Sequence, residues 1–257
     1  MELTESIITE RRGAALIVTL NVPADGNPLN EASMDGLDLA LDQVCTDRSL
    51  RCLVLKGKDG VFCEGMDFAE AAGAEDTIDL RKRLTPLWNL MVRMGTTPKP
   101  VIAMIDGRVS AGGLGLVAAA DLAIATPRSS FLISELLFGL IPASIAPVLA
   151  RRIGWQATWR LTLTARRFNA EEAARLGLLD EVAEDADDAL RRVLMRLDRM
   201  PPAALAEAKA YFQDLNPLTD GQRDLALSAL ENRLADPDVA MGIRRFMSGG
   251  GLPWQTP

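Results

Sequence analysis

The sequence has no histidine in its 257 residues, and only three cysteines and one tyrosine. Without histidine, Ser-His-Asp and Cys-His nucleophilic catalysis are excluded, and so are metal centres built on imidazole. Cys45, Cys52 and Cys63 fall in no metal-ligand spacing and make no even-numbered disulfide framework. Acid–base chemistry is left to carboxylates, lysine, tyrosine, thiols or bound water. Positive charge is short as well: 28 Lys and Arg stand against 35 Asp and Glu, a net charge of −7. Nucleic acid is therefore not expected as a partner, because phosphate binding needs clustered basic charge. The pairs Arg151-Arg152, Arg166-Arg167 and Arg244-Arg245 read as solvated helix faces. No apolar run reaches the roughly 18 uncharged residues of a membrane span. Met1-Glu2-Leu3-Thr4-Glu5 lacks the apolar core of a signal peptide. A cytoplasmic protein with no membrane partner is expected. Internal repeats, low-complexity tracts and linkers are also missing.

What is present is a hydrophobic fraction of 48%, enough over this length for one large core or a main domain with an appendage. The chain is organised around residues 101–121. The apolar run Val101 to Ile105 stops at Asp106-Gly107, a small-residue turn leads to Gly112-Gly113, and an apolar helix-like run follows. The reading is strand, glycine turn, helix. Glycines let a ligand approach the backbone. The first N–H groups of a helix lack intrahelical partners and favour negative charge. Such a turn suits a partial or full anion; close helix–strand packing without a ligand fits the same residues.

In chain order, residues 14–20 read as a buried strand and 21–28 as a turn-rich loop. Asn30 caps a helix running to Cys45, with Met34, Leu37, Leu41 and Val44 on one stripe. Leu50 to Gly57 is the next strand. Val61 to Phe68 lies just beyond it, where open α/β proteins bind ligands. Residues 69–79, rich in Ala, Gly and acids, read as a mobile connection. A helix from Leu80 to Met94 ends at Thr97-Pro98-Lys99-Pro100. Leu122–Ala125 and Phe131–Ile133 are short strands, and Ser134 to Pro142 is an apolar loop. Helices follow over 144–153, 155–164 and 170–176, then a short strand-like stretch over 178–182. From Asp187 the pattern is entirely helical, over 187–200, 202–214, 219–235 and 238–247, punctuated by prolines. The division expected is a βα core over 1–186 and a helical region over 187–257.

Glu135 stands alone in its apolar loop. Carboxylates are rarely buried unpaired, and burial lifts the pKa toward values useful for proton transfer. A glutamate at a helix N-terminus, accepting backbone N–H bonds, is the structural alternative.

Three stretches carry a family resemblance: Phe62-Cys63-Glu64-Gly65-Met66-Asp67-Phe68; Ile105-Asp106-Gly107 through Gly112-Gly113 to Asp121; and Glu135 with Gly139-Leu140-Ile141-Pro142. In this order and spacing the chain resembles the crotonase, or enoyl-CoA hydratase/isomerase, family over essentially its whole length. The resemblance implies an α/β fold, a spiral of ββα units with a C-terminal helical region used in trimerisation. It implies an acyl thioester substrate, carried on the phosphopantetheine of coenzyme A or an acyl carrier protein, and no metal or further cofactor. The thioester enolate would be held by the backbone N–H groups of Met66 and Gly112. Glu135 is implied as the catalytic carboxylate, with Cys63, Glu64, Asp67, Gly113 and Ala143 as substrate-binding neighbours. Asp67 and Asp121 match family positions, although by residue type they read as turn or cap residues. The assembly implied is a homotrimer or hexamer. One departure matters: Gly115 stands where the family's hydratases carry a second glutamate. Chemistry with one carboxylate, as in isomerases and specialised dehydratases, is then expected.

Phe62 to Phe68, Ser134 to Ala143 and Gly251-Leu252-Pro253-Trp254 are similar to one branch, the dehydratases of polyketide β-branching (HMG-synthase) cassettes. That similarity implies conversion of 3-hydroxy-3-methylglutaryl carrier protein to the 3-methylglutaconyl thioester. Glu64 departs from the small polar residue of that branch. Arg81, Lys82, Arg83 and Arg108 are candidates for holding the substrate's free carboxylate. An enoyl-CoA isomerase or hydratase of acyl-CoA metabolism, and a non-catalytic scaffold, are the alternatives.

Overall fold

The computed structural model describes residues 6–66, 80–249 and 251–254. Asp67, residues 69–79 and the side chains of Arg81 and Arg83 lie outside the described residues. Two sheets share the chain in alternation. The larger has six strands in the order β1 (Ile7–Arg12), β2 (Ala15–Leu20), β3 (Cys52–Lys56), β5 (Val101–Ile105), β7 (Leu122–Ala125) and β10 (Glu181–Val182). The smaller has four: β4 (Val61–Cys63), β6 (Arg108–Ser110), β8 (Ser130–Leu132) and β9 (Phe168–Asn169). Consecutive strands β3–β4, β5–β6 and β7–β8 each place one member in each sheet, and a helix follows each pair: α2 (Leu80–Thr96), α3 (Gly112–Ala119) and α4 (Ala146–Ile153). This is the ββα spiral that the resemblance implied.

Four strands go beyond the sequence reading, among them the three-residue β4 and the two-residue β9. Ile7–Arg12 pairs antiparallel with β2 and buries Ile7 while Arg11 and Arg12 are exposed. Its Thr-Glu-Arg-Arg composition hides an edge strand. Arg108–Ser110, read as part of a turn, pairs in parallel with β4 and β8. Three residues are too few to show an alternating pattern.

Helix α1 (Glu31–Thr46) begins as its sequence indicates. Ser33 N–H donates to Asn30 Oδ1 at 2.9 Å and Asn30 N–H to Ser33 Oγ at 3.0 Å, a reciprocal cap. Its Met34, Leu37, Leu41 and Val44 enter the main core with α2, α3 and one face of the large sheet. The opposite face, with Ile17, Val54, Ile102 and Ile124, is covered by Ala189, Leu190 and Leu197 of α7 (Ala186–Leu197). The 186/187 boundary therefore falls at the start of a helix that closes the main sheet. Between α4 and α7 lie α5 (Trp155–Thr164) and α6 (Ala170–Arg175); α8 (Pro202–Leu215), α9 (Asp220–Leu234) and α10 (Pro237–Met247) follow.

Helix α8 is fastened by Lys209. Its ammonium donates to Asp121 Oδ2 at 2.5 Å, Met94 O at 2.8 Å and Lys99 O at 3.1 Å. Asp121 also accepts the Val101 N–H at 2.7 Å, so it joins the start of β5 to α8. Burial pushes the Asp121 carboxyl up and the Lys209 ammonium down, and their pairing opposes both. The pair Arg151-Arg152 is not a solvated face. Arg152 donates to Ala120 O at 2.7 Å, Leu178 O at 2.8 Å and Asp180 at 2.6 Å, while Arg151 donates to Gln213 at 2.7 Å. Among the described residues no helix is long and apolar enough to cross a membrane.

Breaking a buried ion pair from one side leaves a charge without its partner. Lys209→Met is expected to cost about 3 kcal/mol of stability, read by urea denaturation, and a further Asp121→Asn should recover part of the loss. A neutral Lys209→Met would show that α8 is held by other contacts.

Candidate active site

The site begins where β4 and β6 end. Gly65, just beyond β4, has φ +101°, a conformation that favours glycine. Just beyond β6, Ala111 is held at φ 45° and ψ −124°, a strained conformation for an L-residue. Its N–H donates to Leu132 O at 3.1 Å, which pins the turn to β8. The two chain ends pack backbone to backbone. A Cβ on Gly65 would lie 2.8 Å from Ala111 Cβ and 3.1 Å from Gly112 N, and one on Gly113 would lie 2.2 Å from Cys63 O. Side chains at these positions would force the two segments apart. Gly112 opens α3, whose residues are all buried. Among the described residues, neither the Met66 N–H nor the Gly112 N–H donates to a protein acceptor.

Glu135 arrives from the adjoining strand. Because β8 lies beside β6, with Leu132 opposite Ser110, the residues after each strand emerge together. Glu135 opens a 3-10 turn, Glu135–Phe138, closed by the Leu140 N–H on Glu135 O at 3.0 Å. Its side chain is buried, and Oε2 has no hydrogen-bond partner. Desolvation pushes the carboxyl up to about 7, and the backbone N–H groups of Glu135 and Ser134 oppose this more weakly. The placement at a turn N-terminus and the role of buried, half-satisfied acid thus coexist. A buried oxygen lacking a donor is a cost that packing alone does not require.

The other candidates separate. Cys63 is fully buried in the main core, its thiol pushed up to about 12 by burial, so it is no nucleophile or acid near neutral pH. Glu64 accepts from Arg108 Nε at 3.0 Å, which commits Arg108 to a carboxylate of its own chain. Gly113 is a packing position against Cys63. Ala143 joins Met66 in an apolar cluster with Leu84 of α2 and Leu227 and Leu230 of α9. Asp67 lies outside the described residues.

Gly115 explains the missing second carboxylate. A Cβ there would meet Ile145 Cγ2 and Met91 Sδ, each at 2.8 Å, so apolar side chains fill the space. No group of three or more His, Cys, Asp or Glu residues that could hold a metal ion occurs among the described residues.

Sequence reasoning did not find what packs on the loop after Glu135. Val239 and Ile243 of α10 pack on Leu140, and Phe246 meets Phe138 edge-on at 4.9 Å. Arg233 Nε donates to Gly139 O at 2.8 Å. The C-terminal Trp254 lies against Gly139, where an added Cβ would come within 2.8 Å of its ring. The Pro253-Trp254 motif and the Glu135 loop, far apart in sequence, thus touch. The helical periodicity of α9 and α10 showed apolar faces and not what they cover.

The Enoyl-CoA hydratase/isomerase family matches residues 10–257. The chain is 34% identical to bacillaene synthase dehydratase PksH of Bacillus subtilis, over 98% of this chain and 97% of that protein. It is 30% identical to enoyl-CoA hydratase EchA19 of Mycobacterium tuberculosis, over 94% of this chain and 88% of that one. Among solved structures, the polyketide biosynthesis enoyl-CoA hydratase pksH from Bacillus subtilis superposes with a TM-score of 0.89 at 33% identity, covering 98% of this chain and 99% of that chain. Pseudomonas aeruginosa AtuE does so with a TM-score of 0.76, also at 33% identity, covering 98% and 100%. With its ββα spiral, its paired glycine turns and these matches over nearly the whole length, the chain belongs to the enoyl-CoA hydratase/isomerase, or crotonase, family.

Proposed function

We propose that the protein dehydrates a 3-hydroxyacyl thioester, and that its substrate is 3-hydroxy-3-methylglutaryl acyl carrier protein, converted to the 3-methylglutaconyl thioester of polyketide β-branching. Hydratase/dehydratase chemistry is the coarser statement, and the family and its hydratase and dehydratase relatives carry it. Support for the finer one comes from the likeness to a dehydratase of bacillaene synthase and from the apolar packing at position 115, where the family's hydratases carry a second glutamate. The observation that carries the reading is Glu135: buried, with one oxygen unsatisfied and a pKa of about 7, while position 115 is packed with apolar atoms.

The thioester carbonyl oxygen accepts the Met66 and Gly112 N–H groups, which gain strength as the oxygen becomes an enolate. One such donor is worth roughly 3–4 kcal/mol of barrier. Glu135 takes the α-proton, and the electrons of that C–H bond pass into the enolate. The enolate then re-forms the carbonyl, making the double bond as the β C–O bond breaks. The departing hydroxyl takes the same proton from Glu135 and leaves as water, and the carboxylate is restored. Both proton transfers use one residue, so the elimination is syn. A pKa of about 7 keeps both protonation states accessible near neutral pH, as a group that accepts and then donates requires. The substrate arm, of carrier protein or coenzyme A, is the only carrier this scheme needs. An enoyl-CoA isomerase would use the same base, and product mass separates the two, since isomerisation releases no water. A scaffold would gain nothing from an unsatisfied buried acid.

The reading includes a homotrimer. Trp155, Trp159 and Leu163 form an exposed i, i+4, i+8 stripe on α5, and Tyr211, Phe212 and Leu215 are exposed on α8. Large apolar side chains exposed together on a helix support an interface there.

Four outcomes test this function. Glu135→Gln keeps shape and hydrogen bonding, so the protein should stay folded while dehydration, followed by product mass, falls about a hundredfold to ten-thousandfold. A folded variant with near-normal water loss would refute the mechanism. In the unaltered enzyme kcat/KM should rise with pH through about 7, where Glu135 ionises. Its raised pKa also sets the sign of the stability change: the contribution is full below the ordinary glutamate pKa and is lost as pH rises through about 7. Relative to Glu135→Gln, the unaltered protein should thus lose on the order of 3 kcal/mol between acidic and mildly alkaline pH. Light scattering at micromolar concentration should give a trimer that Trp159→Glu weakens; a monomeric unaltered protein counts against the assembly.

A further inference from the structure

The segment that delivers the Met66 N–H is poorly supported by its own sheet. β4 is an edge strand, paired on one side with β6, and its register shifts between Val61 and Cys63. Its other side meets the loop over residues 21–30. Four hydrogen bonds cross that seam. Asn27 Nδ2 donates to Val61 O at 2.7 Å and to Phe62 O at 3.2 Å. Glu64 N–H donates to Gly26 O at 2.8 Å, and Leu29 N–H donates to Gly65 O at 2.8 Å. Every residue from Val61 to Gly65 except Cys63 is held, and the next residue is Met66.

Asn27 is the key of this seam. It is buried, and its φ of +50° lies in the left-handed region that asparagine tolerates better than most residues. Its Oδ1 accepts the Val22 N–H at 2.7 Å and its own N–H donates to Val22 O at 2.9 Å, so the loop closes on the same residue that grips β4. The loop is anchored at both ends: Asn30 caps α1, and Asn21 takes the Lys58 ammonium at 2.9 Å. The amide therefore transmits the position of a fixed loop to a weakly supported strand.

We infer that Asn27 is a positioning residue for the oxyanion hole: through β4 it holds the Met66 N–H in place beside the Gly112 N–H. The inference rests on the reading of those two groups as the thioester site. A hole works only when its donors are held within about half an ångström of the productive geometry, and a displacement of about 1 Å costs on the order of a hundredfold in rate. Asn27 makes no bond to Glu135, so its loss should leave proton transfer intact and loosen one donor.

The test uses two variants. Asn27→Asp keeps the shape and the acceptor for Val22 but puts an oxygen against the Val61 and Phe62 carbonyls. Asn27→Gly removes the amide and keeps the left-handed backbone. Each is made with Glu135 intact, for kinetics, and with Glu135→Gln, for binding a 3-hydroxybutyryl-CoA labelled with carbon-13 at the thioester carbonyl. The label's infrared stretch reports how strongly the hole polarises the bound carbonyl. On binding to the Glu135→Gln parent the stretch should drop, and it should drop less in both Asn27 variants. kcat should fall about tenfold to a hundredfold with KM little changed and with the pH midpoint near 7 retained. Gly112→Val in the same background is the control and should abolish the drop. If the parent shows no drop, or Gly112→Val keeps it, the thioester-site reading itself fails. If the control behaves and the Asn27 variants keep the parent's stretch and kcat, only the positioning role fails. A rise in KM with kcat and stretch unchanged also overturns it, as does collapse of the fold in both variants, which would make Asn27 a residue of stability alone.

Discussion

Among the described residues the backbone N–H groups of Met66 and Gly112 have no protein acceptor, which costs free energy wherever such groups are buried, and in the proposed thioester site the architecture around them keeps them open. The two sheets divide the labour. The large parallel sheet supplies the core, and the small one brings the ends of β4, β6 and β8 side by side. The glycines at 65 and 113 allow those ends to approach at distances no side chain permits. Ala111 bears the strain of the turn that starts α3 at Gly112. Each of these features opposes local stability, and each is compensated by the fully buried helix and sheet behind it.

The carboxylate is the electrostatic counterpart of that pair. Lacking histidine, the chain obtains a group that titrates near neutrality by burying a glutamate. Desolvation does what imidazole chemistry does elsewhere, moving Glu135 to about 7. On the same loop, α9 and α10 pack Arg233, Val239, Ile243 and Phe246 against Phe138, Gly139 and Leu140. The C-terminal helices therefore pack directly on the loop that carries Glu135. Trp254 against Gly139 extends this packing to the end of the described chain.

The sequence by itself determined the elements whose causes are local. Asn30 and Ser33 cap α1 because a side chain reaches three residues along the chain. The stripe Met34, Leu37, Leu41, Val44 reports burial because helical period and apolar spacing coincide. The glycine turn before α3 and the lone Glu135 were legible because a forced backbone and an isolated charge leave marks in composition. Only the tertiary structure decided the rest. Arg108–Ser110 is a strand because β4 and β8 flank it. Arg151 and Arg152 are structural because carbonyls from three segments converge on them. Asp121 finds Lys209 across 88 residues, and Asn27 finds Val61 across 34. Hydrogen bonds and desolvation depend on what surrounds a group in space, and a chain read in order records only what lies beside it in sequence.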